Sequence, residues 1–302
     1  MKSGDDPTGH QLRLLLVLAE ELHFGRAANR LYLTQPALSQ QIRSLEQRLG
    51  VQLFTRTSRQ VELTKHGQEL LPYVKDAVDA GHALRHAAHR AAAGSGKLRL
   101  GVCESFGALP VTRKVIAAVT AQHPELGPEV HVADDVVEQF AMLSEGEIDA
   151  AFVHLPAPEG MHDQVLTTEP RLACVAVSDP LAARDVVSLA ELSHHLIVSL
   201  VSEEFPVRRG FWSGDPWPDG TTVRYSDQQV TRFETLLSTV SLGGAIAFVP
   251  ASAATLYPRP DVRYLPVEDL QECAYGVVWH SADHDKPKIL ALAEVSRQVQ
   301  DV

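Results

Sequence analysis

The chain is poor in cysteine and has no long apolar run. Its three cysteines, Cys103, Cys174 and Cys273, stand singly among 302 residues. None has the Cys-x-x-Cys spacing used by zinc sites and thiol exchange, so a disulfide framework is excluded and a reducing compartment is expected. The longest apolar stretches, Leu14–Ala19 and Gly243–Val249, fall far short of the ~20 residues that a membrane helix needs. Met1–Gly9 is polar and carries Asp5 and Asp6, unlike the basic start and apolar core of a secretory leader. These absences predict a cytoplasmic protein with no membrane partner. There is no Gly-x-Ser-x-Gly elbow, no His-Glu-x-x-His and no Gly-x-Gly-x-x-Gly, so no catalytic residue and no cofactor are assigned.

What is present is a folded-protein composition, 45% hydrophobic and 22% charged, of a length that predicts more than one domain. The net charge of −11 argues, taken whole, against nucleic acid. Its distribution argues otherwise. Residues 1–93 hold 12 Lys/Arg against 9 Asp/Glu, a net of +3, and residues 94–302 hold 15 against 29, a net of −14. A basic segment joined to an acidic one points to nucleic acid. The break between them, Gly94-Ser95-Gly96-Lys97, is no phosphate loop: the first glycine and the hydroxyl of that motif are missing, and the run follows a helix and precedes a strand.

The basic segment begins with an amphipathic helix over Gln11–Leu22 and a short second one over Arg26–Leu31. A third runs to Gly50, with Thr34 as its cap and Pro36 in its first turn. Leu38, Ile42, Leu45 and Leu49 form its buried stripe, and Pro36, Gln40, Arg43 and Gln47 point the opposite way with Ser39 beside them. Gln and Arg can each make paired hydrogen bonds to base edges in the major groove. After Gly50, two β-prone runs flank Thr55-Arg56-Thr57-Ser58-Arg59, a hairpin wing whose arginines can meet phosphates. Helix, turn, helix and wing in this order form a DNA-binding unit.

Residues 10–67 closely resemble the DNA-binding region of LysR-type transcriptional regulators. The resemblance rests on Leu22-His23-Phe24-Gly25-Arg26-Ala27-Ala28, then Thr34-Gln35-Pro36-Ala37-Leu38-Ser39-Gln40-Gln41-Ile42, Leu45-Glu46, Leu53-Phe54, Arg56 and Leu63-Thr64 with Gly67. It implies a base-reading helix over about Gln35–Gly50. Combined with the helix projection, it gives as DNA-binding candidates Thr34, Gln35, Pro36, Ala37, Ser39, Gln40, Arg43, Arg56 and Arg59. It also implies double-stranded DNA with an inverted-repeat operator, a small-molecule effector, a homodimer or homotetramer, and RNA polymerase as partners.

In Lys65–Ala93, the residues Leu70, Val74, Ala77, Gly81, Leu84, Ala88 and Ala91 recur at the spacing of a two-helix seam. This matches the family's linker helix, which pairs with that of a second subunit. His82, His86 and His89 share one face of it, but no carboxylate or cysteine completes a ligand set, so no metal is assigned. Beyond Lys97, strand-like runs at Leu98–Cys103, Glu129–Ala133, Ile148–His154, Arg171–Val177, His195–Leu200, Thr221–Ser226 and Ala245–Val249 alternate with helical ones. That order predicts an α/β domain.

The fold class expected is therefore α/β with an N-terminal winged helix-turn-helix, a long linker helix and a two-lobed, periplasmic-binding-protein-like effector domain. The divisions are residues 1–64, 65–96 and 97–302, with lobe I at 97–168 and 268–302 and lobe II at 169–267. The resemblance places the effector between the lobes, and strand ends there give as candidates Glu104, Ser105, Phe106, Asp134, His154, Val201, Ser202, Phe248 and Val249. Glu104 is unfavourable to an anion unless Arg208 offsets it. Redox sensing would need an exposed thiolate with a resolving partner, whereas each cysteine sits in or beside an apolar run.

Overall fold

A computed structural model describes residues 6–31, 33–56, 61–92, 96–200, 205–217, 220–228 and 230–300. The chain divides into two compact units, Met1–Ala88 and His89–Val302. The first contains α1 (Gly9–Glu21), α2 (Phe24–Arg30) and α3 (Gln35–Leu49), then a hairpin of β1 (Phe54–Arg56) and β2 (Val61–Leu63), and most of α4 (Lys65–Ala92). Thr8 and Gln11 close a reciprocal cap on α1. The His23 ring accepts from the Gly25 and Arg26 amides at the start of α2, and the Thr34 hydroxyl accepts from Ala37 N at the start of α3. Each satisfies amides that a helix's first turn leaves unpaired. Leu14, Leu15 and Leu18 of α1 and Ala27 and Ala28 of α2 pack against Leu38, Ile42 and Leu45 of α3. The alanines let α2 approach closely.

The wing is fastened to both flanking helices. Glu46 of α3 accepts from the backbone N–H of Leu53 at 2.9 Å and of Phe54 at 3.2 Å. Both residues are fully buried. On the other side the Thr64 hydroxyl donates to Gln52 O at 2.6 Å and accepts from Gly67 N at 3.0 Å, capping α4 while holding the strand's approach. Replacing Glu46 with Ala leaves two buried amides without an acceptor, a loss expected to be about 2 kcal/mol. Thermal unfolding should show it, and Glu46→Gln, which keeps one acceptor oxygen, should recover part. An unchanged midpoint in Glu46→Ala would mean that the carboxylate does not hold the wing.

The second unit carries two sheets. Its elements are β3 (Arg99–Cys103), α5 (Pro110–Gln122), β4 (Glu129–Ala133), α6 (Val136–Glu145), β5 (Ala150–His154), β6 (Met161–Glu169), β7 (Arg171–Ala176), α7 (Leu189–Leu192), α8 (Pro206–Ser213), α9 (Phe233–Ser241), β8 (Ala247–Pro250), α10 (Ala253–Leu256), β9 (Val262–Pro266), β10 (Cys273–His280) and α11 (Pro287–Gln300). One sheet has the order β4-β3-β5-β10-β6 and the other β8-β7-β9. In the first, β3 lies parallel to β4 and β5, while β10 runs antiparallel to β5 and β6.

Side chains alternate across these strands. Leu100, Val102, Phe152 and Val277 pack under α5 and α11, and Ala151, Val153 and Val278 pack with Phe140 and Leu143 of α6. In the second sheet Cys174, Ala247 and Val249 lie under α9, and Ala173, Val175 and Phe248 face Leu189, Leu192 and Trp217.

Asp149, just before β5, joins the first and last parts of this unit. It accepts from Arg99 N and Arg99 Nη2, each at 2.8 Å, and pairs with Lys288 Nζ of α11 at 2.7 Å. Burial raises its carboxyl pKa, but the hydrogen bonds from Arg99 and Lys288 outweigh that and hold it below the ordinary carboxylate value.

Two expected strands are not strands. His195–Leu200 and Thr221–Ser226 meet only through single-residue bridges of Ile197 with Tyr225 and with Ile246. Their β-prone residues make one extended contact before the chains part. Conversely β6, β9 and β10 are strands that the sequence pattern does not predict. β6 is an edge strand, exposed along much of its length, so its residues lack the apolar run of a buried strand.

Candidate functional site

The first unit presents one polar face. On α3, Leu38, Ile42 and Leu45 are buried, which turns Gln35, Pro36, Gln40 and Arg43 outward, all exposed. Ala37 and Ser39 are half-buried at the edge of this face, and Thr34 is exposed at the cap. Glu46, the acid on this helix, is turned to the wing, so the outward face keeps only amide and guanidinium groups and the mild positive charge of the segment. Arg56 lies in β1 opposite Val61. Its side chain, and Arg59 altogether, fall outside the described residues.

The second unit holds a cavity of about 720 Å³, its mouth included. Phe106, His154 and Phe248 line it as expected from the sequence. Glu104 and Ser105 form part of a short 3-10 turn, Glu104–Ala108, with side chains outside the described residues, as Val201 and Ser202 are entirely. Two expectations need correction. Asp134 does not line the cavity: it is an exposed side chain ion-paired with Arg232, while its neighbour Asp135 reaches the lining. Val249 does not line it either, because strand alternation that brings Phe248 to the cavity sends Val249 into the core under α9.

The walls are mostly aromatic and aliphatic. Phe106 stands edge-on to Phe233 at 5.3 Å and to the His154 ring at 4.9 Å. Polar members missing from the sequence-derived set include Gln139 of α6, Trp212 of α8, Ser199, Thr231 and Tyr275; Arg208 of α8 enters the sequence reading only as a counter-charge to Glu104. A signal for Gln139 exists: it occupies an apolar position in the stripe Val136, Gln139, Phe140, Leu143. Arg208 and Trp212 are one helical turn apart on α8.

Beneath the cavity, His154 Nε2 lies 2.8 Å from Glu169 Oε1, and Glu169 also accepts from Ser252 N at 2.5 Å and Ser252 Oγ at 2.9 Å. Burial lowers the His154 pKa. Burial raises the Glu169 pKa, but the hydrogen bonds from His154 and Ser252 lower it further than burial lifts it. A neutral imidazole donating to a carboxylate satisfies both. Cys273 completes a trio with His154 and Glu169 whose possible ligand atoms lie within 4.8 Å of one another. Those are metal-binding residue types, but the carboxylate is already committed to three donors and burial pushes the Cys273 thiol up to about 12. The Cys174 thiol is likewise raised to about 12 by burial, so neither is a ready thiolate.

Comparison with known proteins gives matches along nearly the whole chain. The model described as "Bacterial regulatory helix-turn-helix protein, lysR family" matches residues 10–68, and the "LysR substrate binding domain" matches residues 91–301. The HTH-type transcriptional regulator IlvR of Caulobacter vibrioides is 34% identical over 277 residues, covering 89% of this chain and 90% of its own. AlsR of Bacillus subtilis, also an HTH-type transcriptional regulator, is 29% identical over 290 residues, 94% of each chain. Among solved structures, a point mutant of full-length BenM is 25% identical, with a TM-score of 0.51, over 98% of this chain and 96% of that one.

Proposed function

The chain belongs to the LysR family of bacterial helix-turn-helix regulators, and from that premise we propose how it carries out the family's task. It is a DNA-binding transcriptional regulator with an effector-binding domain, and not an enzyme. In our reading α3 enters the major groove, with Gln35, Gln40 and Arg43 reading base edges, Thr34, Pro36, Ala37 and Ser39 beside the backbone, and Arg56 and Arg59 serving the wing. The observation that carries this reading is the outward face of α3, which is rich in amide and guanidinium groups and has its acid tied back into the fold.

The divisions at residues 1–64, 65–96 and 97–302 belong to the proposal; in support of lobe II at 169–267, all three strands of the smaller sheet fall within that range. Pairing of two α4 helices would supply a homodimer, and the family's pattern a homotetramer. In support, Leu84 on the expected seam is 72% exposed, and Ala77 and Ala88 are exposed with it. Val74, by contrast, packs into its own module. Paired modules suit an inverted-repeat operator. Among the described residues no helix is long and apolar enough to cross a membrane. Action in the cytoplasm, with contact to RNA polymerase, completes the proposal.

The test is a gel shift of the protein on DNA upstream of its own gene at graded salt. Specific retardation that falls steeply with salt is expected, and its absence at moderate salt, alone or with cell extract, overturns the reading. Arg43→Ala should lower operator affinity by about 10- to 100-fold, from the ~1–3 kcal/mol of one paired base contact, and relax preference at one base pair. A uniform loss across all sequences would instead make Arg43 a phosphate contact.

A further inference from the structure

The cavity of the second unit lies between the parts built on its two sheets. Asp135 and Gln139, at and within α6, line one side, and Thr231 and Phe233, at the start of α9, line the other. Deeper in, the two parts are joined by groups largely out of solvent. Arg208 of α8, only 6% exposed, donates through Nη1 to the carbonyls of His154 and of Pro156. Glu169 at the end of β6 accepts from the Ser252 hydroxyl at 2.9 Å. Arg171 Nε donates to Gln271 O at 2.6 Å, which fastens the two crossover segments to each other.

The outer edge is closed differently. Asp134 and Arg232 are the immediate neighbours of the lining residues Asp135 and Thr231. Their side chains form an ion pair from one part to the other, and each remains more than half exposed. With lining residues beside it and solvent above it, the pair sits on the rim of the cavity. Neither side chain is needed by its own helix. Asp135, not Asp134, caps α6 by accepting from Glu138 N at 2.8 Å, and Arg232 stands at the N-cap of α9 without a capping bond. An exposed pair is weak and is screened by salt. It is therefore a tie that thermal motion opens readily, while the buried ties behind it hold the two parts in register.

We propose that the Asp134–Arg232 ion pair is a strap across the mouth of the cavity, which parts each time a ligand enters or leaves. This rests on the effector-binding reading of the second unit and adds a gate to it: the strap sets how fast the site fills and empties.

Cys103 is half-buried and lines the cavity, whereas Cys174 and Cys273 are buried away from its lining. The rate at which neutral iodoacetamide alkylates Cys103 in the full-length protein, followed by mass spectrometry at neutral pH, therefore measures entry. Asp134→Asn and Arg232→Gln should each raise that rate about threefold, the size of effect that one exposed ion pair supplies. The two changes alter the local charge in opposite senses, so a changed thiolate fraction alone would raise one rate and lower the other. Exchanging the pair, Asp134→Arg with Arg232→Asp, should return the rate toward that of the unaltered protein. Sodium chloride at about 1 M, where the screening length is about 3 Å, should speed the unaltered protein more than either variant. A Cys103 rate unchanged in either variant, rates that move in opposite directions, or a salt response equal in parent and variants would overturn the proposal. Should one variant fail to fold, the other, the exchanged pair and the salt response decide. Failure of these measurements beside intact operator retardation removes the strap alone, whereas loss of retardation by the unaltered protein removes the regulatory reading.

Discussion

Replacing Asp149 with Ala should destabilise the second unit by about 3 kcal/mol and lower its unfolding midpoint, while the first unit melts as before. The carboxylate is only 3% exposed and answers two cations and a main-chain amide at once. Breaking a buried ion pair from one side costs about 3–5 kcal/mol, since the remaining charges keep their desolvation without compensation. The lower end applies because Arg99 and Lys288 retain 15% and 25% of their exposure.

The interaction also has a sign in pH. The folded-state pKa lies below the ordinary value of 3.8, so this stabilisation is complete above that value and drains away as pH falls through the folded-state pKa. Asp149→Ala should therefore flatten the acid limb of the stability curve. A variant that melts like the parent, with the same acid dependence, would show that α11 is held by its apolar face alone.

Gly67→Ala should abolish operator binding and cost the first unit at least ~3 kcal/mol, beyond the usual range for overpacking. A Cβ at this position would sit 2.3 Å from Leu53 O and 2.9 Å from Leu63 Cδ2. The first obstacle is main chain and cannot swing aside. That same carbonyl accepts from Thr64 N at 2.9 Å, so relief of the clash pulls the start of α4 away from the wing. Circular dichroism melts and gel shifts on the same preparation would check both effects. Retained operator affinity would mean that the wing can detach without loss of groove contact. Gly9 at the start of α1 in the same unit meets nothing within 4 Å, and Gly9→Ala is the control.

The two glycines differ in a way that only part of the sequence announces. Gly67 stands in the chain as one residue of a recognised pattern; the reason for it is a helix start passing directly over a strand's carbonyl, a contact between residues fourteen positions apart. The helices of the first unit were legible because each carries its own apolar stripe and its own cap, both local signals. β3, β4 and β5 were legible for a similar reason, as short runs bounded by turns.

The cavity was legible only in part. Strand ends located Phe106, His154 and Phe248. Several of its polar groups come instead from the flanks of α6 and α8, where Gln139, Arg208 and Trp212 look like ordinary surface or core positions until the helices are packed. Edge strand β6 is hidden in the sequence because it is exposed along much of its length and carries no apolar run. No local pattern could announce that β10 would separate β5 from β6.

That insertion imposes an order on synthesis. The three-stranded sheet draws on one continuous stretch, from Arg171 to Pro266, and can assemble as soon as that stretch leaves the ribosome. The five-stranded sheet cannot. Among the described residues β6 bonds to β10 and to no other strand, and β10 begins at Cys273, so an edge made early waits for a partner translated more than a hundred residues later. With chains emerging from the N-terminus at ~5–20 residues per second, the nascent chain holds β6 without its partner for roughly 5–20 seconds before the sheet that completes the sensor can close.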